Sequence, residues 1–187
     1  MAFKHVGSEI AWQGAWRRVD KETFIDGESG GEYVYEVIRA GDVVVICAYD
    51  EGGVWLVEQP REAVGKQSLL ELPAGAVDDG ESPFDAARRE LAEEVHLAAA
   101  KWSNARTYYP SPGICDEHHF LFFATDLSPD VSAQGDEGER IKTSRWPLCS
   151  LESLLVSVQD AKTLIGLSIL RDILDATGRG RSRPRGR

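Results

Sequence analysis

Glu90, Glu93 and Glu94 lie within five residues of one another. At about 100° per residue a helix would gather their carboxylates into one narrow arc. Like charges so close repel, and the arrangement is stable only beside something cationic. Oxygen-only ligands of this kind suit hard divalent ions such as Mg²⁺ or Mn²⁺. Local signals supply the helix. Ser82 is a capping hydroxyl and Pro83 a first-turn proline. Phe84, Ala87, Leu91 and Val95 follow at the spacing of an apolar stripe. Taken alone, Glu-x-x-Glu-Glu reads as a solvated acidic face, and its surroundings decide otherwise.

Those surroundings run from Gly75 through five residues to Glu81, then through seven more to Arg89-Glu90-Leu91-Ala92-Glu93-Glu94, and close with Val95, His96 and Leu97. The pattern resembles the Nudix box in every fixed position except one, where His96 replaces a glycine. That position takes a left-handed backbone to end the helix, easiest for Gly and tolerable for His. The resemblance implies that Ala74 offers a backbone carbonyl to a metal, that Glu90 and Glu94 offer carboxylates, and that Glu93 is a further ligand or catalytic group. It also implies that Glu81 and Arg89 pair, bracing the loop that begins at Gly75 against the helix. Two or three Mg²⁺ ions per site are implied, with Mn²⁺ as the alternative.

The flanks resemble the ADP-ribose pyrophosphatase branch of that family. They read Glu58-Gln59-Pro60-Arg61, Glu71-Leu72-Pro73-Ala74-Gly75, and Ser111-Pro112-Gly113 with Glu117 beyond. Gly14-Ala15-Trp16 and Tyr35-Glu36 match more loosely. The branch implies a phosphate-binding fork at Arg61 and a substrate loop at Ser111 and Gly113. It places Glu117 on the terminal ribose and an adenine sandwich at Trp16 and Tyr35, with Glu36 beside it. Trp12 competes with Trp16 for the stacking role. Glu139 aligns with the branch's loop glutamate as metal ligand or base, and Glu137 is the reserve. The implied activity is hydrolysis of ADP-ribose to AMP and ribose 5-phosphate. Another nucleoside diphosphate sugar, UDP- or GDP-linked, is the alternative substrate, and a non-catalytic ADP-ribose sensor is the alternative class.

The elements that must hold these residues can be read from pattern. The 187 residues allow one good core with a small appendage. Residues 1–40 read as an N-terminal β element for dimerisation and base binding, with strands at Ala15–Val19 and Glu32–Ile38. Residues 41–178 read as a Nudix-type α/β/α sandwich with a mixed sheet, opening on the apolar run Asp42–Tyr49. Residues 179–187, with five arginines, read as a disordered basic tail. A net charge of −10 argues against general nucleic-acid or membrane binding. No apolar run reaches the ~20 residues of a membrane span, no signal-peptide pattern is present, and the three cysteines lack metal spacing. The expectation is a cytoplasmic homodimer with swapped N-terminal strands and a small nucleotide sugar as its substrate.

Overall fold

The computed structural model describes residues 3–15, 17–130 and 140–178. Three strands open the chain, β1 (Phe3–Gln13), β2 (Arg18–Asp26) and β3 (Glu32–Arg39), and form an antiparallel sheet in the order β1-β2-β3. The remaining strands are β4 (Asp42–Asp50), β5 (Gly53–Arg61), β6 (Lys66–Glu71), β7 (Ala74–Ala76), β8 (Leu97–Tyr108), β9 (His118–Pro129) and β10 (Lys142–Trp146). They build a mixed seven-stranded sheet around the path β10-β5-β4-β9-β8, with β6 added to β5 and β7 to β4. Its helices are α1 (Pro83–Val95), α2 (Leu151–Ser157) and α3 (Ala161–Ala176).

The side-chain alternation of β4 and β9 explains the layering. Successive residues of a strand point to opposite faces. On one face Val44, Ile46, Ala48, Phe122 and Ala124 pack with Ala86, Ala87, Leu91 and Val95 of α1. On the other, Leu121 and Leu72 meet α3 at Gly166, where an added Cβ would come within 2.3 Å of Leu72. Both faces of the sheet are therefore covered, as the continuous apolar run of β4 requires. Cys47 lies in this core, whereas Cys149 is exposed.

The chain divides into two compact units, one holding residues up to 42 together with 108–119, the other 43–107 with residues from 120 onward. Sequence had left 108–119 in the larger domain. Hydrogen bonds tie that segment to β3: the Ile38 N–H donates to Ile114 O at 2.8 Å and the Asp116 N–H to Ile38 O at 3.2 Å. Asp116 also accepts from the Ala40 N–H at 2.9 Å and from Arg39.

The expected strand at Ala15–Val19 is corrected. The Gly14 N–H donates to Arg17 O at 2.8 Å, and strands occupy Phe3–Gln13 and Arg18–Asp26 instead. The polar N-terminal run alternates too weakly to announce β1, which is exposed along nearly its whole length.

Candidate active site

Helix α1 begins as its sequence dictates, with the Ser82 side chain accepting from the Asp85 N–H and Pro83 in the first turn. It ends at His96, whose φ of 58° and ψ of 40° are left-handed, with its N–H returned to the last turn of the helix. Between these caps Leu91 and Val95 face the core, which turns Glu90 and Glu94 toward β7.

Glu94 is nearly buried and its Oε2 accepts the Ala74 N–H at 3.0 Å. Glu90 sits so close to Gly75 that a Cβ there would lie 1.9 Å from Oε1. Two carboxylates one helical turn apart thus embrace the same two backbone residues. β7 pairs with β4 through Val44↔Gly75 and Val45↔Ala74, and the Ile46 N–H is bonded to Pro73 O at 2.8 Å. Antiparallel pairs alternate between bonded and non-bonded, so Ala74 is a non-bonded position whose N–H and carbonyl both turn away from β4.

Arg89 knits loop to helix. It reaches Glu81 through Nε at 3.1 Å and Nη2 at 2.9 Å, and Ala76 O through Nη2 at 2.9 Å. Its Nη1 donates to Glu90 at 2.7 Å and to Glu93 at 3.0 Å. These bonds raise the arginine pKa further, Glu81 foremost, and hold the Glu81 carboxyl below its usual range.

Among the described residues no three His, Cys, Asp or Glu side chains are gathered as a ready metal shell. The donor set that fits a divalent ion is of another kind: the carboxylates of Glu90 and Glu94 on either side of the Ala74–Gly75 backbone, where glycine alone leaves room. All of these donors are oxygens, which suits Mg²⁺ or Mn²⁺.

Arg61, at the end of β5, forms a two-point fork with Glu71, Nε to Oε1 at 2.7 Å and Nη2 to Oε2 at 2.8 Å. Lys162 of α3 bonds the same Oε2. Burial pushes the Glu71 carboxyl up, and the two cations more than reverse this, leaving it below its ordinary value. Glu71 and Lys162 are the residues that sequence reasoning missed. Glu71 had appeared only as part of a flanking motif, and Lys162 lies 91 residues away, a separation no local pattern spans.

In the N-terminal unit, Tyr35 and Gly113 line one cavity of about 270 Å³ with Phe3, Phe24 and Pro112. Phe24 meets Tyr35 edge-on at 5.7 Å. Phe3 and Phe24 were not anticipated. Glu36, by strand alternation, lies on the opposite face of that sheet from Tyr35, and Trp12 is exposed. The Ser111 carbonyl accepts from the N–H groups of Ile114 and Cys115 at 3.1 Å each, shaping the loop. Glu117 is 2.5 Å from His119, which also meets the Tyr108 hydroxyl at 3.2 Å. Trp16, Glu137 and Glu139 lie outside the described residues.

Comparison with known proteins agrees with this geometry. The NUDIX domain model matches residues 39–166. ADP-ribose pyrophosphatase of Bacillus subtilis (strain 168) is 34% identical over 140 residues, covering 73% of this chain and 75% of the relative. ADP compounds hydrolase NudE of Escherichia coli (strain K12) is 30% identical over 161 residues, covering 83% and 84%. A crystal structure of an ADP compounds hydrolase superposes with a TM-score of 0.86 at 26% identity, covering 96% of this chain and 97% of that one. With its box folded into loop, helix and paired carboxylates, this chain belongs to the Nudix family of hydrolases.

Proposed function

We propose that the chain hydrolyses the diphosphate bond of ADP-ribose, releasing AMP and ribose 5-phosphate. The observation that carries this reading is the pair Glu90 and Glu94 closed around Ala74–Gly75. Glu90, Glu94 and the Ala74 carbonyl would hold Mg²⁺ or Mn²⁺, with Glu93 and Glu139 as further ligands. A divalent ion bound there supplies charge neutralisation and acidifies a coordinated water. Arg61 grips the diphosphate through its guanidinium fork. Glu139, with Glu137 as the alternative, takes the proton as water oxygen bonds to phosphorus and the bridging P–O bond breaks.

The aromatic cavity of Phe3, Phe24 and Tyr35 supports base binding, since a nucleobase stacks on such rings. Ser111, Gly113 and Glu117 are proposed to shape and contact the ribose side, and Trp16 to complete base recognition with the backbone near Glu36, whose side chain lies on the other face of the sheet. Relatives named for ADP-ribose and ADP compounds support an adenine nucleotide over a UDP- or GDP-sugar. No helix is long and apolar enough to cross a membrane among the described residues, and we place the enzyme in the cytoplasm as a homodimer.

The test is a panel of ADP-ribose, UDP-glucose and GDP-mannose assayed with Mg²⁺ and Mn²⁺, with Glu94→Gln beside the native protein. ADP-ribose should give the highest kcat/KM. Glu94→Gln should lose at least ~10²-fold in kcat while remaining folded. Preferred turnover of a non-adenine sugar overturns the substrate, and near-normal Glu94→Gln activity overturns the site.

A further inference from the structure

On the reading of Arg61 as the diphosphate-binding arginine, we propose that Glu71 and Lys162 are positioning residues for it, so that the first turn of α3 sets affinity for the diphosphate. Glu71 is 1% exposed and Lys162 11%, whereas Arg61 is 42% exposed. The buried carboxylate is thus an internal anchor shared by two cations, and the arginine is the member of the trio that reaches outward. Glu71 occupies the Nε–Nη2 edge of the guanidinium. The adjoining Nη1–Nη2 edge lies in the same plane and keeps a second fork for a phosphate. Arg61 ends β5, whose neighbour β4 also pairs with β7, so the fork and the proposed metal-binding pair are held by the same sheet.

Lys162 does two things in this arrangement. It completes the coordination of a buried carboxylate that two N–H groups of Arg61 alone would leave under-compensated. It also offsets the negative charge of Glu71, which would otherwise cancel that of Arg61 toward an anionic substrate. The same helical turn fixes the neighbouring backbone. Thr163 Oγ1 accepts from the Leu72 N–H at 2.7 Å and donates to Asp160 Oδ2 at 2.6 Å. Asp160, the remaining charge in the group, caps α3 through the Thr163 N–H at 2.9 Å and meets Lys162 at 3.1 Å. The α3 terminus therefore grips Glu71 and Leu72, just before Ala74, and orients the phosphate fork without touching substrate.

The test compares the native protein, Arg61→Ala, Lys162→Met, the double variant and Lys162→Arg. ADP binding is read by calorimetry in EDTA, and ADP-ribose kinetics are read with Mg²⁺. Arg61→Ala and Lys162→Met should each raise the ADP Kd and the ADP-ribose KM by about tenfold, with kcat changed less than about threefold. The double variant should be no worse than Arg61→Ala, because Lys162 acts through Arg61, and Lys162→Arg should recover most of the loss. Should Lys162→Met fail to fold, Lys162→Gln, which keeps a donor without the charge, takes its place. Losses that add in the double variant, or native affinity in Lys162→Met beside a weakened Arg61→Ala, overturn the positioning role and leave the reading of Arg61 standing. Native affinity in Arg61→Ala removes that reading, and this proposal with it.

Discussion

Gly75 illustrates how little room the site allows. Its φ is unremarkable for any residue, so its role is not conformational freedom but the absence of a side chain beside Glu90, whose carboxylate would lie 1.9 Å from an added Cβ. Gly75→Ala is expected to displace that carboxylate, lowering kcat by at least ~10-fold with a modest change in stability. Kinetics and thermal unfolding of the same variant check both parts. Glu71 carries a second prediction. Its folded-state pKa lies below the ordinary 4.5 despite burial, because Arg61 and Lys162 outweigh desolvation. A depressed carboxylate contributes stability above its unfolded value and loses it as pH falls through the folded one. Urea midpoints should therefore favour the native protein over Glu71→Gln at neutral pH, and the difference should shrink as pH drops below about 4.5. A difference that stays constant into acid would contradict the ion-pair account.

Helix α1 can be followed from sequence almost atom by atom, because its determinants are local. Ser82 and Pro83 start it, an apolar stripe orients it, and a left-handed residue stops it. The stop is imperfect. His96 sits at φ 58°, where a side chain costs about 1–2 kcal/mol relative to right-handed backbone. Part of that cost returns through the greater freedom of an unfolded glycine. His96→Gly should stabilise the protein by about 0.5–1 kcal/mol, or roughly 1–4 °C in Tm, with kcat unchanged. A lower Tm would show that the imidazole makes a contact worth more than the strain. β1 is the opposite case. Its apolar residues Phe3, Val6, Ile10 and Trp12 keep no single strand period, its pairing with β2 is broken by two register shifts, and only the neighbouring strand reveals it.

At the scale of the molecule, the N-terminal sheet stands out. A small sheet needs a covered apolar face for stability of its own, yet Phe3, Val6, Ile10, Trp12, Tyr33, Val34 and Tyr35 are all exposed there. Strand alternation sets Tyr33 and Tyr35 on one face and Val34 on the other, so apolar side chains project from both faces of this sheet, and we propose a second copy of this chain as the partner that covers them. Light scattering at micromolar concentration should report twice 20.6 kDa. A mass of one chain would remove the homodimer and its swapped strands from the proposal.

What the sequence determined by itself is what short-range chemistry encodes: the helix from Pro83 to Val95 with its caps, the arc of glutamates it presents, the buried run of β4 and the family these imply. Periodicity and spacing suffice where each residue's role depends on neighbours a turn or a strand away. Tertiary structure alone decided which groups meet across long separations. It brought Lys162 to Glu71 and thereby gave Arg61 its anchor. It joined Asp116 to Arg39, and it set Phe24 beside Tyr35 in a cavity that the chain order does not suggest. Such contacts follow from which strands pair and which helix or loop comes to lie against them, and no stretch of sequence contains that geometry.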